Sequence, residues 1–155
     1  MSGVPESKRS ESKARFMPNA QDIWDEIERI QSDKIPKSKR FTLGVPMVQT
    51  ARSCVHNINR ADKFYPNTTS NVIERKKYLT LAIADADQLF LDLQHAKRVG
   101  IGVSESRLMN LLDMVEDEIN LLRSARDHVK LLGKESVEDR IGALEAELAR
   151  LEQIQ

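Results

Sequence analysis

One cysteine, few aromatics and no net charge set the first limits on this 155-residue chain. Cys54 alone cannot close an internal disulfide, and a lone thiol fits a reducing, cytoplasmic compartment. Phe, Trp and Tyr make up 5% of the residues, beside six Gly and five Pro. That is too little turn chemistry for a sandwich or barrel, which needs a turn every 8–12 residues or so. No run approaches the roughly 20 apolar residues of a membrane span, and no apolar stretch follows the start, so neither a membrane partner nor a secretory leader is expected. Lys plus Arg number 24, and so do Asp plus Glu, a balance that as a total argues against a nucleic-acid partner. Charge itself is abundant. With 31% charged and 40% hydrophobic residues, the composition favours long helices with charged outer faces, in one domain of ordinary size.

Residues 1–15 are Ser, Lys, Arg and Glu with almost nothing apolar, and predict a disordered tail. Ile23, Ile27 and Ile30 then recur at i, i+4 and i+7 beside Ala20 and Trp24, an amphipathic helix expected from about Pro18 to Ser32. A second apolar set, Met47, Val48, Ala51, Cys54, Val55, Ile58 and Ala61, also has helical spacing. Pro46 leaves two starts open for that helix: a first-turn proline after a start near Val45, or a kink in a longer helix from near Ser38, which would turn Phe41 and Leu43 to the core. Tyr65 to Thr69 carries turn chemistry. The third helix is expected to be capped by Asn71 with Glu74 and stopped by Gly100, and the fourth to run from Ser104 to Gly133. These elements predict an all-α fold, an up-down-up-down four-helix bundle over residues 16–133. An extra C-terminal heptad helix is expected within 134–155. There Val137, Ile141, Leu144, Leu148 and Leu151 repeat at 4, 3, 4, 3, a narrow seam that packs either on its own bundle or on copies of itself.

Catalytic chemistry finds little support. Cys54 and His56 are two apart on a helix and point about 200° from each other, so they make no thiolate–imidazole pair, and Cys54 falls on the apolar stripe. Asp92 and His95 have the spacing of one half of a bundle di-metal site, but no second half exists. The acidic pairs around Asp85 and Glu116–Glu118 read as solvated surface. No glycine loop has the Lys and spacing of a P-loop. No enzyme activity, metal or cofactor is therefore expected.

The charge is unevenly placed. Residues 1–100 hold 17 basic and 12 acidic side chains and residues 101–155 hold 7 and 12, a net of +5 against −5. Between Lys34 and Lys77 the net is +8: Lys34, Lys37, Lys39, Arg40, Arg52, Arg60, Lys63, Arg75, Lys76 and Lys77 against Asp62 and Glu74. Clustered cations neutralise phosphates through the local field, so a polyanion partner, RNA or DNA, is restored as an expectation.

The stretch Pro36-Lys37-Ser38-Lys39-Arg40-Phe41-Thr42-Leu43-Gly44 resembles the four-helix-bundle family of the accessory variability protein of diversity-generating retroelements. That family is related to the intervening-sequence proteins encoded within some bacterial ribosomal RNA genes. The similarity continues through Asn57-Ile58-x-x-Ala61, Arg75-x-x-Tyr78-Leu79-x-x-Ala82 and Leu93-x-x-Ala96-Lys97-Arg98-Val99-Gly100. The resemblance implies a homopentamer of bundles with a positively charged surface. It also implies a non-catalytic role in binding template RNA and a reverse transcriptase. By position, Lys37, Lys39, Arg40, Arg52, Arg60, Lys63, Arg75, Lys76 and Lys77 are the candidates for that nucleic-acid-binding surface. The alternative is an oligomeric protein-interaction scaffold of a phage or mobile element with no nucleic-acid ligand, its oppositely charged halves packed head to tail.

Overall fold

The computed structural model describes the backbone of residues 6–154 and the side chains of residues 15–154. Five α-helices follow in order: α1 Glu6–Asp33, α2 Val45–Asp62, α3 Thr69–Val99, α4 Glu105–Asp127 and α5 Val137–Glu152. Of the tail expected over residues 1–15, the first five positions lie outside the described residues. From Glu6 the backbone is helical, so α1 starts well before Pro18, which stands inside it. Glu, Lys, Arg and Ala recur between Glu6 and Arg15 and are good helix formers. Phe16, buried two residues ahead of the proline, ties that turn to the core.

The first four helices touch in cyclic order, α1 on α2, α2 on α3, α3 on α4 and α4 back on α1. Hydrogen bonds fix their directions. Lys39, ahead of α2, reaches the carbonyls of Val99 and Gly100 at the end of α3, while Arg75, early in α3, reaches Ala61 at the end of α2. Asn19, early in α1, bonds Met114 and Glu118 of α4, and Arg107, early in α4, bonds Glu26 of α1. Neighbours are thus antiparallel, as an up-down-up-down bundle requires. Ile27, Met47, Leu93, Val115 and Leu122 lose all contact with solvent. Burying a side chain of this size contributes about 1.5–3 kcal/mol.

The sequence periodicity and the helix ends differ in places. Thr68, not Asn71, caps α3, its hydroxyl accepting from the Asn71 amide at 3.1 Å. The Asn71 side chain instead donates to Tyr65 O and Asn67 Oδ1, closing the turn before the helix. α4 ends at Asp127 rather than at Gly133. Nδ1 of His128 donates to Ser124 O at 2.7 Å, and the following chain leaves the helix so that the Leu132 amide meets Pro66 O at 2.7 Å. Gly100 closes α3 at φ 73°, and Ser104 and Ser136 cap α4 and α5 as their positions imply.

The start of α2 combines both expected arrangements. Lys37–Lys39 make a 3₁₀ turn and Arg40–Gly44 a π turn, and the winding passes without a break into α2, whose first turn holds Pro46. The widened turn sends Leu43 inward and leaves Phe41 outside. Gly44 is required by closeness rather than by its backbone angles: a Cβ there would stand 2.9 Å from Gln31 Cγ and 3.3 Å from Ile35 Cδ1. The helix α5 lies against α3, joined by Glu135, which accepts from the Thr69 amide at 2.8 Å and from its hydroxyl.

Candidate nucleic-acid interface

The basic stretch does not fold into one surface. Its axis is α2, an 18-residue helix about 27 Å long, and the cations gather at its two ends. Arg52, exposed, stands between them.

At the far end, where α2 gives way to α3, lie Arg60, Lys63, Arg75, Lys76 and Lys77. Arg75 is not part of the surface. It is 8% exposed, and its guanidinium donates to the carbonyls of Ala61 and Phe64 at 3.3 and 3.2 Å and to Asp62 Oδ1 at 3.4 Å. It ties off the open C-terminal carbonyls of α2, a favourable place for a cation at the negative end of a helix dipole. Arg60 donates to Asn57 at 3.2 Å. Lys77 pairs with Glu74 at 3.4 Å and lies 5.0 Å over the Tyr78 ring, which itself stacks on Phe64 with centroids 5.8 Å apart. Phe64 and Tyr78 are thus already paired, Tyr65 beside them is 61% exposed, and Arg60, Lys63 and Lys76 remain as the exposed cations of this end.

The near end is built differently. The 3₁₀ and π turns carry Lys37, exposed, with Lys39 and Arg40, both half-buried, around Phe41, which is 82% exposed. Lys39 Nζ donates to Val99 O and Gly100 O, both at 3.3 Å, and so caps α3 while holding this turn beside the exposed Arg98. Lys34 belongs to the same end, because its carbonyl lies beside Gly102, 3.4 Å from where a Cβ would stand. Arg98 and its neighbour Lys97, which pairs with Glu105 at 3.3 Å, were not among the expected contact residues because they are some 60 residues from Lys37 along the chain. The signal was present: an antiparallel α2–α3 pair must bring the basic last turn of α3 to the basic start of α2.

Of the acidic groups expected at the solvated surface, Asp85 is half-buried and Glu118 lies inside. Asp85 accepts from Ser53 Oγ and Asn57 Nδ2, both at 2.8 Å, fixing the register of α2 against α3. Glu118 is fully buried; burial pushes its carboxyl up to about 8, and a hydrogen bond from Asn19 opposes that shift. Their neighbours in the same acidic runs, Asp87, Glu116 and Asp117, are exposed, so a short acidic run misled. Cys54 is buried as expected, its Sγ 3.5 Å from Ala82 O, and desolvation pushes the thiol far above its ordinary range.

On the opposite side of the bundle a shallow cleft of about 290 Å³ runs between α1 and α4, lined by Asp22, Asp25, Glu26, Arg29 and Arg107 among others. Arg107 bonds Glu26 and holds its carboxyl below the usual range. The acidic lining makes this face a poor host for phosphates. Among the described residues no group of three or more His, Cys, Asp or Glu side chains is placed to hold a metal ion, and no helix is long and apolar enough to cross a membrane.

No family model and no curated protein matches the chain. Its fold is similar to the 1.70 Å crystal structure of a protein of unknown function from the S23 ribosomal protein family of Bacteroides thetaiotaomicron. The TM-score is 0.65 at 13% identity, covering 75% of this chain and 98% of that one.

Proposed function

We propose that this protein is a non-catalytic nucleic-acid-binding accessory protein whose contact face is the near end of the bundle. The observation that carries this reading is Phe41, 82% exposed on a turn that also bears Lys37 and the half-buried Lys39 and Arg40 and is held beside the exposed Arg98. An exposed ring offers a stacking face to an unpaired base, and the surrounding cations neutralise the flanking phosphates; single-strand binding combines these two elements. Lys63 and Lys76, about one α2 length away, extend the same polyanion along the helix, with Arg52 between.

The resemblance of residues Pro36–Gly44 to the retroelement accessory family supports the finer reading. In it, homopentameric bundles bind a structured template RNA and assist a reverse transcriptase. The fold shared with a member of the S23 ribosomal protein family agrees with it at the level of architecture.

The test is the affinity for a structured RNA carrying an unpaired loop, measured by fluorescence anisotropy at two salt concentrations. Contact with several phosphates requires a steep fall in affinity as salt rises, with a slope near −0.7 to −0.9 for each phosphate neutralised. Binding that is absent, or indifferent to salt, refutes the proposal.

A further inference from the structure

The four-helix body closes on itself, yet α5 brings an apolar seam that nothing among the described residues covers. Val137, Ile141, Leu144, Leu148 and Leu151 remain between 50% and 71% exposed. The side of α5 turned to α3 carries Ala143 and Glu147, the least exposed residues of the helix, with Arg150 bonded to Glu147. At about 100° per residue the seam lies roughly a quarter-turn around the helix from that contact, so a further helix can approach it without displacing α3.

We infer that the seam is covered by α5 of a second copy of this chain, the two helices running parallel as a short coiled coil. Three features of the chain select this occupant. The 4, 3, 4, 3 spacing is the repeat of a seam that packs against itself, and a two-fold pair satisfies it on both chains at once. Ile141 and Leu148 fall at a and Val137, Leu144 and Leu151 at d, so every position of the seam is apolar over its whole length. Charge chooses the direction: Arg140 and Glu145 flank the seam at g and e, where parallel strands bring each beside the other's partner. Glu147 would face Glu152 in the same register, but it is already paired with Arg150, and Lys77 of α3 lowers its proton affinity further. The pairing needs no nucleic acid, and because a two-fold pair cannot close a ring of five, it joins copies beyond the homopentamer of the finer reading above.

Cysteine cross-linking tests it, because Cys54 is buried and its thiol unreactive, so each introduced thiol reports alone. Ile141→Cys and Leu151→Cys, each prepared separately and oxidised with glutathione disulfide, are expected to give a covalent dimer on a non-reducing gel. Ala149→Cys, on the far side of α5, is expected to stay unlinked. All three positions are exposed, so retention of the helical circular dichroism signal checks that the fold survives. Dimer from an equal mixture of Ile141→Cys and Leu151→Cys but from neither alone would mean antiparallel helices and overturn the inference. Equal linking at Ala149 and Leu151, or none at any position, would overturn it too. Leu144→Asp with Leu148→Asp is expected to halve the mass in solution from at least twice the 17.6 kDa of one chain. An unchanged mass would count against the pairing.

Discussion

Asn19 donates to Glu118 across the α1–α4 interface at 2.8 Å, while the other carboxyl oxygen of Glu118 is buried and has no partner among the described residues. A carboxylate so placed would be costly, so the group is held as the neutral acid, with its proton affinity raised from an ordinary 4.5 to about 8. The folded chain therefore binds this proton more tightly than the unfolded chain. Its stabilising effect is complete below pH 4.5 and is lost as pH rises through about 8. Chemical denaturation of the wild type should show stability falling between pH 5 and 9, by on the order of a few kcal/mol. Glu118→Gln, which keeps the shape of the side chain and an acceptor for Asn19 without the ionisable proton, should abolish that fall. A wild type as stable at pH 9 as at pH 6 would contradict the burial of this group.

Gly44 faces the end of α1 with no room for a methyl group, the obstacle being Gln31 Cγ at 2.9 Å and Ile35 Cδ1 at 3.3 Å. Its φ of −63° is open to any residue, so the cost of a side chain here is steric alone. Gly44→Ala should lower stability by about 1–3 kcal/mol through overpacking. Gln31→Ala, which removes the nearer obstacle, should recover part of the loss in the double variant. Equal losses in the single and double variants would show that closeness is not the reason for the glycine.

The helices were legible because their apolar stripes repeat over many turns: Ile23, Ile27 and Ile30, or Leu89, Leu93 and Ala96, can only be buried together on one face. Their ends were less so. Whether Asn71 or Thr68 caps α3 depends on which side chain the preceding turn occupies, and Asn71 is spent on Tyr65 and Asn67. The π turn that turns out Phe41 while burying Leu43 has no period of its own, and so left two starts open for α2. The charge count found the basic segment but not its division, since Arg75 and Arg60 look alike in a sequence. One ties off the end of α2 from inside, and the other stays outside.

Arg75 is accordingly expected to act on stability and not on binding. Removing its guanidinium leaves the carbonyls of Ala61 and Phe64 without their donor, and Arg75→Ala should cost about 1.5–3 kcal/mol in a denaturant titration. Arg75→Lys, which keeps the charge but not the fork, should recover only part of this. Below the unfolding transition the Ala variant should bind RNA with wild-type affinity and salt slope. A weaker, flatter salt dependence would return Arg75 to the contact surface.

Phe41 and Lys37 should separate the two components of binding at the near end. Phe41 is exposed, so truncation to Ala should leave the unfolding transition within about 0.5 kcal/mol of wild type. Stacking of a base on an aromatic ring is worth about 1–3 kcal/mol, so Phe41→Ala should weaken binding to an unpaired loop by roughly 5- to 150-fold and to a perfect duplex hardly at all. Its salt slope should match the wild type, because no phosphate contact is removed. Lys37→Gln should do the reverse, weakening loop and duplex alike and flattening the slope by about one unit. The contrast lies in the slopes as much as in the affinities. A Phe41→Ala variant that loses loop and duplex binding equally would mean that the ring braces the turn rather than receiving a base.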